Sequence, residues 1–140
     1  MESISIFQAN AVVAAAFDRG VELGLKPLTV AVLDAGGCVI TLQRQDGSST
    51  LRPQIACGKA SSALSMGMST RLLAEMASER PAFVSALNSI APNGIIPAAG
   101  GVIIVNAAGA SIGAVGVTGD TSDNDETCAL HGIVASGLTA

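Results

Sequence analysis

The chain has 140 residues, of which 49% are hydrophobic and only 13% are charged. That length fits a single domain over residues 1–140, and the apolar fraction is enough to build a core. About a quarter of the residues of an ordinary soluble domain are charged. The shortage of charge therefore predicts that other copies of the chain cover much of its surface.

The composition also argues against two classes of partner. The chain has three Phe, no Tyr and no Trp, and its net charge is −4. Stacking on bases needs aromatic faces and a phosphate backbone needs basic runs, so we expect no nucleic acid partner. The same charge disfavours an anionic membrane surface.

The cysteines and the N-terminus predict the compartment. Cys38, Cys57 and Cys128 are odd in number and far apart, which favours neither a disulfide framework nor a metal site. Reduced thiols are typical of the cytoplasm. Residues 1–4 lack the positive region of a secretory signal. We therefore expect a cytoplasmic protein.

The hydrophobic pattern predicts the element order α-β-β-α-α-α-β-β-α. Ser5 and Gln8 form a capping box that begins the first helix, which ends near residue 24. Two hairpins and no βαβ repeat predict one α/β domain with a mostly antiparallel sheet flanked by helices. The predicted strands cover 28–33, 38–44, 102–105 and 112–117; the later helices cover 52–66, 71–78, 82–90 and 122–137, with caps at Thr70 and Ser122.

The uncharged segment from Ile95 to Val117 is long enough to span a membrane. It contains Pro97, Asn106 and five glycines. Its two β-branched runs lie on either side of a turn, so the pattern favours two buried strands over a membrane helix.

Four glycines precede the last helix and raise the question of a phosphate-binding loop. Their spacing matches neither the dinucleotide fingerprint nor the P-loop. The helix that follows starts with acidic residues, which repel phosphate. Closely packed strand glycines are the better interpretation. The four are Gly109, Gly113, Gly116 and Gly119.

Scarce charges at strand ends and at a helix start point to a ligand site. They are Asp34, Arg44, Asp46 and Lys59. Asp34 and Arg44 lie at opposite ends of one hairpin's antiparallel strands, and we expect them to approach the same rim. Such groups can hold a carboxylate or hydroxyl ligand. Turn capping by the two aspartates and surface ion pairs for the two cations remain the alternative.

The predicted ligand site adds Gly100 and Gly101, since glycine pairs let backbone N–H groups approach a ligand closely. His131 is the only histidine, in the middle of the last predicted helix. It is either an ordinary helix residue or an axial ligand or proton carrier. The candidate catalytic residues are Asp34, Arg44, Asp46 and His131.

Six stretches, in order and spacing over about residues 5–138, resemble the GlcG/HbpS-like (DUF336-type) family of haem-degrading and haem-binding domains. They are Val30–Gly37, Gln43–Gly47, Ile55–Ala60, Gly100–Val102, Ile112–Gly119 and Asp125–Ala129. The resemblance implies a profilin-like sheet flanked by helices, assembly into tetramers or octamers, and a gene in a catabolic or biosynthetic operon.

Two departures from the family pattern bear on haem. Ile103 follows Gly100–Val102 where the family often has Gly-Gly-x-Pro, and position 10 is Asn where some haem-binding relatives have a histidine in the first helix. The resemblance then leaves His131, Met66, Met68, a Cys or a hydroxyl as the axial ligand.

Three functions remain open at this point. The first is an oligomeric protein that binds haem or a corrinoid-type ligand. The second is a small cofactor-free enzyme that transfers protons on a hydroxylated or carboxylated metabolite, with Arg44 or Lys59 holding the carboxylate and Asp34, Asp46 or His131 as acid or base. The third is a stabilising partner of another enzyme.

Overall fold

The computed structural model describes residues 2–140 and has the predicted order of elements. The strands pair antiparallel throughout, in the order β2-β1-β4-β3. The α/β fold class is confirmed. The elements are α1 (Ile6–Glu22), β1 (Thr29–Asp34), β2 (Val39–Arg44), α2 (Arg52–Met66), α3 (Thr70–Glu79), α4 (Pro81–Leu87), β3 (Gly101–Val105), β4 (Ser111–Thr118) and α5 (Ser122–Ala135).

Both faces of the sheet are covered by helices. Val30 and Val117 pack with α1 and α5 on one face, whereas Leu33 and Ala114 pack with Ala60 of α2 on the other. Strands buried on two faces read as continuous apolar runs. This explains the uncharged stretch over 95–117, whose two runs are β3 and β4. Within residues 2–140, no helix is long and apolar enough to cross a membrane.

Small residues let α2 approach the sheet closely. A Cβ atom added at Gly116 would collide with the carbonyl oxygen of Ala56, and one added at Gly113 would collide with that of Leu33 on the neighbouring strand. These glycines are packing residues, as their spacing indicates. Gly119 follows β4 with a φ of 139° and is also closely packed, because a Cβ atom there would collide with the carbonyl oxygen of Pro27. For Gly109 the prediction of a packed strand glycine is wrong, because it lies in the turn between β3 and β4 with no atom within 4 Å of an added Cβ.

Two helix caps lie one residue earlier than predicted. Ser69 caps α3, and Thr121 caps α5 by accepting a hydrogen bond of 3.2 Å from the amide of Asn124. Both have the extended backbone that an N-cap needs, whereas the predicted caps Thr70 and Ser122 are already helical. The capping box at Ser5 is present as predicted.

The sides of α1 and α5 that face away from the sheet expose several large apolar side chains among polar ones. The two helices pack against each other in one layer. Phe7, Val21 and Val134 are 83%, 73% and 68% exposed, and Leu130 is 39% exposed. We call the surface formed by Phe7, Val21, Leu130 and Val134 the outer face.

Candidate functional site

A buried ion pair lies where α2, α5 and the end of β4 meet. The Lys59 Nζ atom donates to Asp125 Oδ2 at 3.1 Å and to the carbonyl oxygen of Val117 at 2.9 Å. The two side chains are only 4% and 2% exposed. The second oxygen of Asp125 accepts from the amide of Asp120 at 3.0 Å. Asp125 thus acts as an acceptor at both oxygens, as an ionised carboxylate does.

Gly100 and Gly101 pack directly against Lys59. Gly100 has a φ of 127°, and a Cβ atom there would lie 2.9 Å from Lys59 Nζ and 2.5 Å from the carbonyl oxygen of Val117. The amide of Gly101 donates to Thr70 Oγ1 at 2.8 Å. The glycine pair therefore makes room for a buried side chain and leaves the Gly101 amide already bonded.

Burial and pairing act in opposite directions on the two charges. Burial lowers the pKa of Lys59, and the neighbouring carboxylate of Asp125 opposes that change. Burial raises the pKa of Asp125, and Lys59 opposes it in turn. Two buried charges are stable in this way only while each keeps its partner.

A small cleft opens beside this pair, at the end of β4. Its volume is about 200 Å³, and we call it the loop cleft. Arg52, the first residue of α2, donates from Nη1 to Thr118 Oγ1 at 2.7 Å. Arg44 donates from Nη1 to the carbonyl oxygen of Ser48 at 2.6 Å. The cleft is lined by Lys26, Pro27, Gly47, Ser48, Ser49, Arg52 and Gly119.

Asp120 connects this cleft to α5. Its Oδ1 atom accepts from the amide of Lys26, and its Oδ2 atom accepts from the amide of Thr121 and from Asn124 Nδ2. The hydrogen bond from Asn124 is the largest cause that lowers the pKa of Asp120 to about 2, followed by those two amides. The carboxylate stays ionised and holds the connection before β1 against the start of α5.

Asp34 and Arg44 lie at opposite ends of their hairpin, so the expectation that they share a rim is wrong. In the register of β1 and β2, Arg44 is opposite Thr29, while Asp34 is beside the turn. In an antiparallel hairpin the end of the first strand lies beside the start of the second. Asp34, at the end of β1, is therefore near the start of β2, whereas Arg44 is at the far end of β2. Asp34 Oδ1 instead accepts from the amides of Gly36 and Cys38, which is the turn-capping alternative.

The other predicted residues divide between two places. Asp46 is exposed in the loop after β2, beside Pro27 and Gln45 in a shallow cleft next to the loop cleft. His131 is half-buried on α5, one residue from Leu130 of the outer face and remote in sequence from the other candidates. The structure thus brings Lys59, Gly100 and Gly101 together and places Arg44 at the end of β2 and Asp46 in the loop that follows. Asp34 and His131 lie apart from both.

A wider cleft, of about 660 Å³, contains none of the predicted residues. It lies between α3 and the start of α5. Arg71 bridges it, with hydrogen bonds of 2.6 Å to Asp123 and 2.8 Å to Glu126, and these raise its pKa. Glu75 and Glu79 also line the cleft, so most of its charged lining residues are acidic.

Three residues around the buried ion pair and the loop cleft are not predicted from the sequence: Arg52, Asp125 and Ser48. The Lys59–Asp125 contact spans 66 residues of sequence. The only available signal was that Asp125 opens one of the family-like stretches.

Residues 4–134 match the protein family described as haem degrading protein HbpS-like. The chain belongs to this family. Among curated proteins, none matches the chain significantly.

Solved structures share the fold over nearly the whole chain. Protein ORFY of Klebsiella pneumoniae, a DUF336 protein, has a TM-score of 0.89 at 24% identity and covers 100% of this chain and 94% of its own. PduOC in complex with haem has 0.86 at 23%, covering 98% and 97%. HbpS has 0.84 at 29%, covering 96% and 91%.

Proposed function

We propose that this member of the HbpS-like family is a binding protein for a small planar molecule, with haem as the first candidate. The observation that carries the proposal is the family match over residues 4–134, supported by 29% identity to HbpS over nearly the whole chain. Bound haem supplies iron-centred redox and oxygen chemistry. The chain's own part is to ligate the iron and to cover the porphyrin.

His131 is the residue of this chain best suited to ligate iron. It is half-buried on α5, and its imidazole makes no hydrogen bond or ion pair with the side chains or backbone of residues 2–140, so a ring nitrogen is available. Its neighbours Leu130 and Val134 give the apolar surface that a porphyrin needs. By contrast, Cys128 is buried and its pKa is raised to about 11, so it stays a neutral thiol. Met66 and Met68 pack around Leu73 in a separate apolar cluster.

The outer face is also the surface we propose for self-assembly in the cytoplasm. A porphyrin on an open helix layer would leave one side in water. A second copy that packs its outer face against the first would enclose it and bury Phe7 and Val21 as well. Light scattering at micromolar concentration should show an oligomer, and a stable monomer would contradict this part of the proposal.

Haem titration followed by absorbance tests the role of His131. The His131→Ala variant should move the Soret band and weaken binding at least about tenfold, since a metal–ligand bond is lost. Val134→Ala is the matched control, because it trims the same face without removing a ligand atom, and its band should stay in place. Added imidazole should restore the band of His131→Ala. An unchanged band in that variant would contradict the role of His131.

A further inference from the structure

The seven cationic side chains of the chain fall into three groups. Three form ion pairs with carboxylates: Arg19 with Glu22, Lys59 with Asp125, and Arg71 with Asp123 and Glu126. A fourth, Arg80, lies over the ring of Phe83 at 4.1 Å. Lys26, Arg44 and Arg52 have no carboxylate partner among residues 2–140.

The three cations with neither a carboxylate nor an aromatic partner lie in or next to the loop cleft. Lys26 and Arg52 line it, and Arg44 reaches it through its hydrogen bond to the Ser48 carbonyl. They come from three separate parts of the chain: the connection before β1, the end of β2 and the start of α2. The carboxylates of Asp120 and Asp125 are near enough to interact with Lys26 and Arg52, but neither forms an ion pair with them, so this convergence leaves the cations free to bind a further anion.

The walls of the cleft suit a small ligand. Gly47 and Gly119 have φ values of 87° and 139°, so backbone rather than side chain forms these walls. Ser49 is exposed there, whereas the Ser48 hydroxyl is already bonded to Thr29 Oγ1 at 2.8 Å. Arg52 uses Nη1 for Thr118, which leaves Nε and Nη2 of its guanidinium for a bidentate contact.

The nearby acids set a limit on the charge of the ligand. The carboxylate oxygens of Asp120 accept hydrogen bonds from two amides and from Asn124, and Asp46 is exposed beside the cleft. Three cations and two carboxylates leave a small positive excess, which favours a singly charged group over a dianion. A volume of about 200 Å³ is also below that of pockets for drug-sized ligands.

We propose that the loop cleft binds the carboxylate group of a small organic acid, with Arg52 as the bidentate contact and Lys26 as the second cation. This goes beyond the proposed haem binding, which concerns the outer face and His131. Arg52 takes the role that the sequence suggests for Arg44. Arg44 donates from Nη1 to the carbonyl oxygen of Ser48 and so supports the loop, and Lys59 is buried in its ion pair with Asp125.

Titration of the haem-free, ¹⁵N-labelled protein with acetate tests the proposal at constant ionic strength in a chloride background. We expect saturable shifts of the amides of Gly47, Ser49 and Gly119. Arg52→Gln should weaken acetate binding at least about tenfold, the loss expected for charge-assisted hydrogen bonds. The control Arg80→Gln removes an arginine outside the cleft and should bind acetate as the parent does.

Three results would overturn the inference: shifts that do not saturate, equal affinity in Arg52→Gln, or an equal loss in Arg80→Gln. Saturation by inorganic phosphate at lower concentration than by acetate would overturn the choice of a carboxylate. If Arg52→Gln fails to give a folded spectrum, Lys26→Gln takes its place, because the Lys26 side chain is exposed and its loss should weaken binding without unfolding the chain. Because no haem is added, the outcome is independent of the haem titration.

Discussion

Replacing Asp125 by Asn should leave Lys59 as a buried charge with one remaining acceptor, the carbonyl oxygen of Val117. Asn keeps the shape of the side chain and an oxygen for the Asp120 amide, so the lost element is the negative charge. Removal of one partner from a buried pair costs about 3–5 kcal/mol. The alternative, folding with a neutral Lys59 at about pH 7, costs about 4–5 kcal/mol because the ordinary lysine pKa is about 10.4. The two routes agree, and we expect a loss of about 4 kcal/mol in the free energy of unfolding.

The pH dependence separates this explanation from a simple packing defect. If folded Asp125→Asn holds Lys59 neutral, the unfolded chain binds one more proton, and stability rises by about 1.4 kcal/mol per pH unit up to the ordinary lysine pKa. Urea denaturation at about pH 7 and about pH 9 measures this slope. Arg19→Gln is the control, since it breaks an exposed ion pair and should cost less than about 1 kcal/mol. A loss below about 1 kcal/mol in Asp125→Asn, or a deficit that does not shrink with pH, would refute the reasoning.

Three further predictions concern packing, thiols and acid stability. Gly116→Ala should cost about 1–3 kcal/mol or more in urea denaturation because its Cβ atom meets the Ala56 carbonyl, whereas Gly36→Ala has room and should cost little; equal losses would contradict this. Cys38 is exposed and should react with a thiol reagent in the native protein, while Cys128 should react only after unfolding. Because all three cysteines are free, the melting temperature should be the same in strong reductant, and a large decrease would indicate a disulfide. The pKa of Asp120 falls from 3.8 to about 2 on folding, so its contribution is present above about pH 4 and is lost as the pH falls towards 2. Asp120→Asn should therefore flatten the stability curve in that range, and identical curves would count against it.

Much of the fold follows from local signals that the sequence displays openly. Both hairpins could be predicted because β-branched runs flank turns of the right chemistry. In the second hairpin, Asn106 Oδ1 accepts from the amides of Ala108 and Ala110, which fixes the turn where the pattern indicates it. The cap errors at Ser69 and Thr121 have the same local origin, because adjacent hydroxyl residues compete for one position and the pattern cannot choose between them.

The candidate site could be predicted only in part, because its contacts are tertiary. Lys59 is a candidate from the sequence because charged residues are scarce in this chain. Its partner Asp125 cannot be predicted without knowing how α5 packs on the sheet. The sequence places Arg44 correctly at a strand end. It does not show that this end lies opposite Thr29 and far from Asp34, because that depends on the register of the hairpin. No motif in the sequence indicates that Arg52 could bind a ligand. Its position in the loop cleft depends on a loop, a strand end and a helix start that meet only in the folded chain.

Haem binding is the central claim, and titration of the unmodified protein with haem tests it most directly. We predict a Soret band that differs from that of free haem and saturates at no more than one haem per chain. A spectrum that grows linearly with added haem, with no saturation and no change in band position, would contradict it.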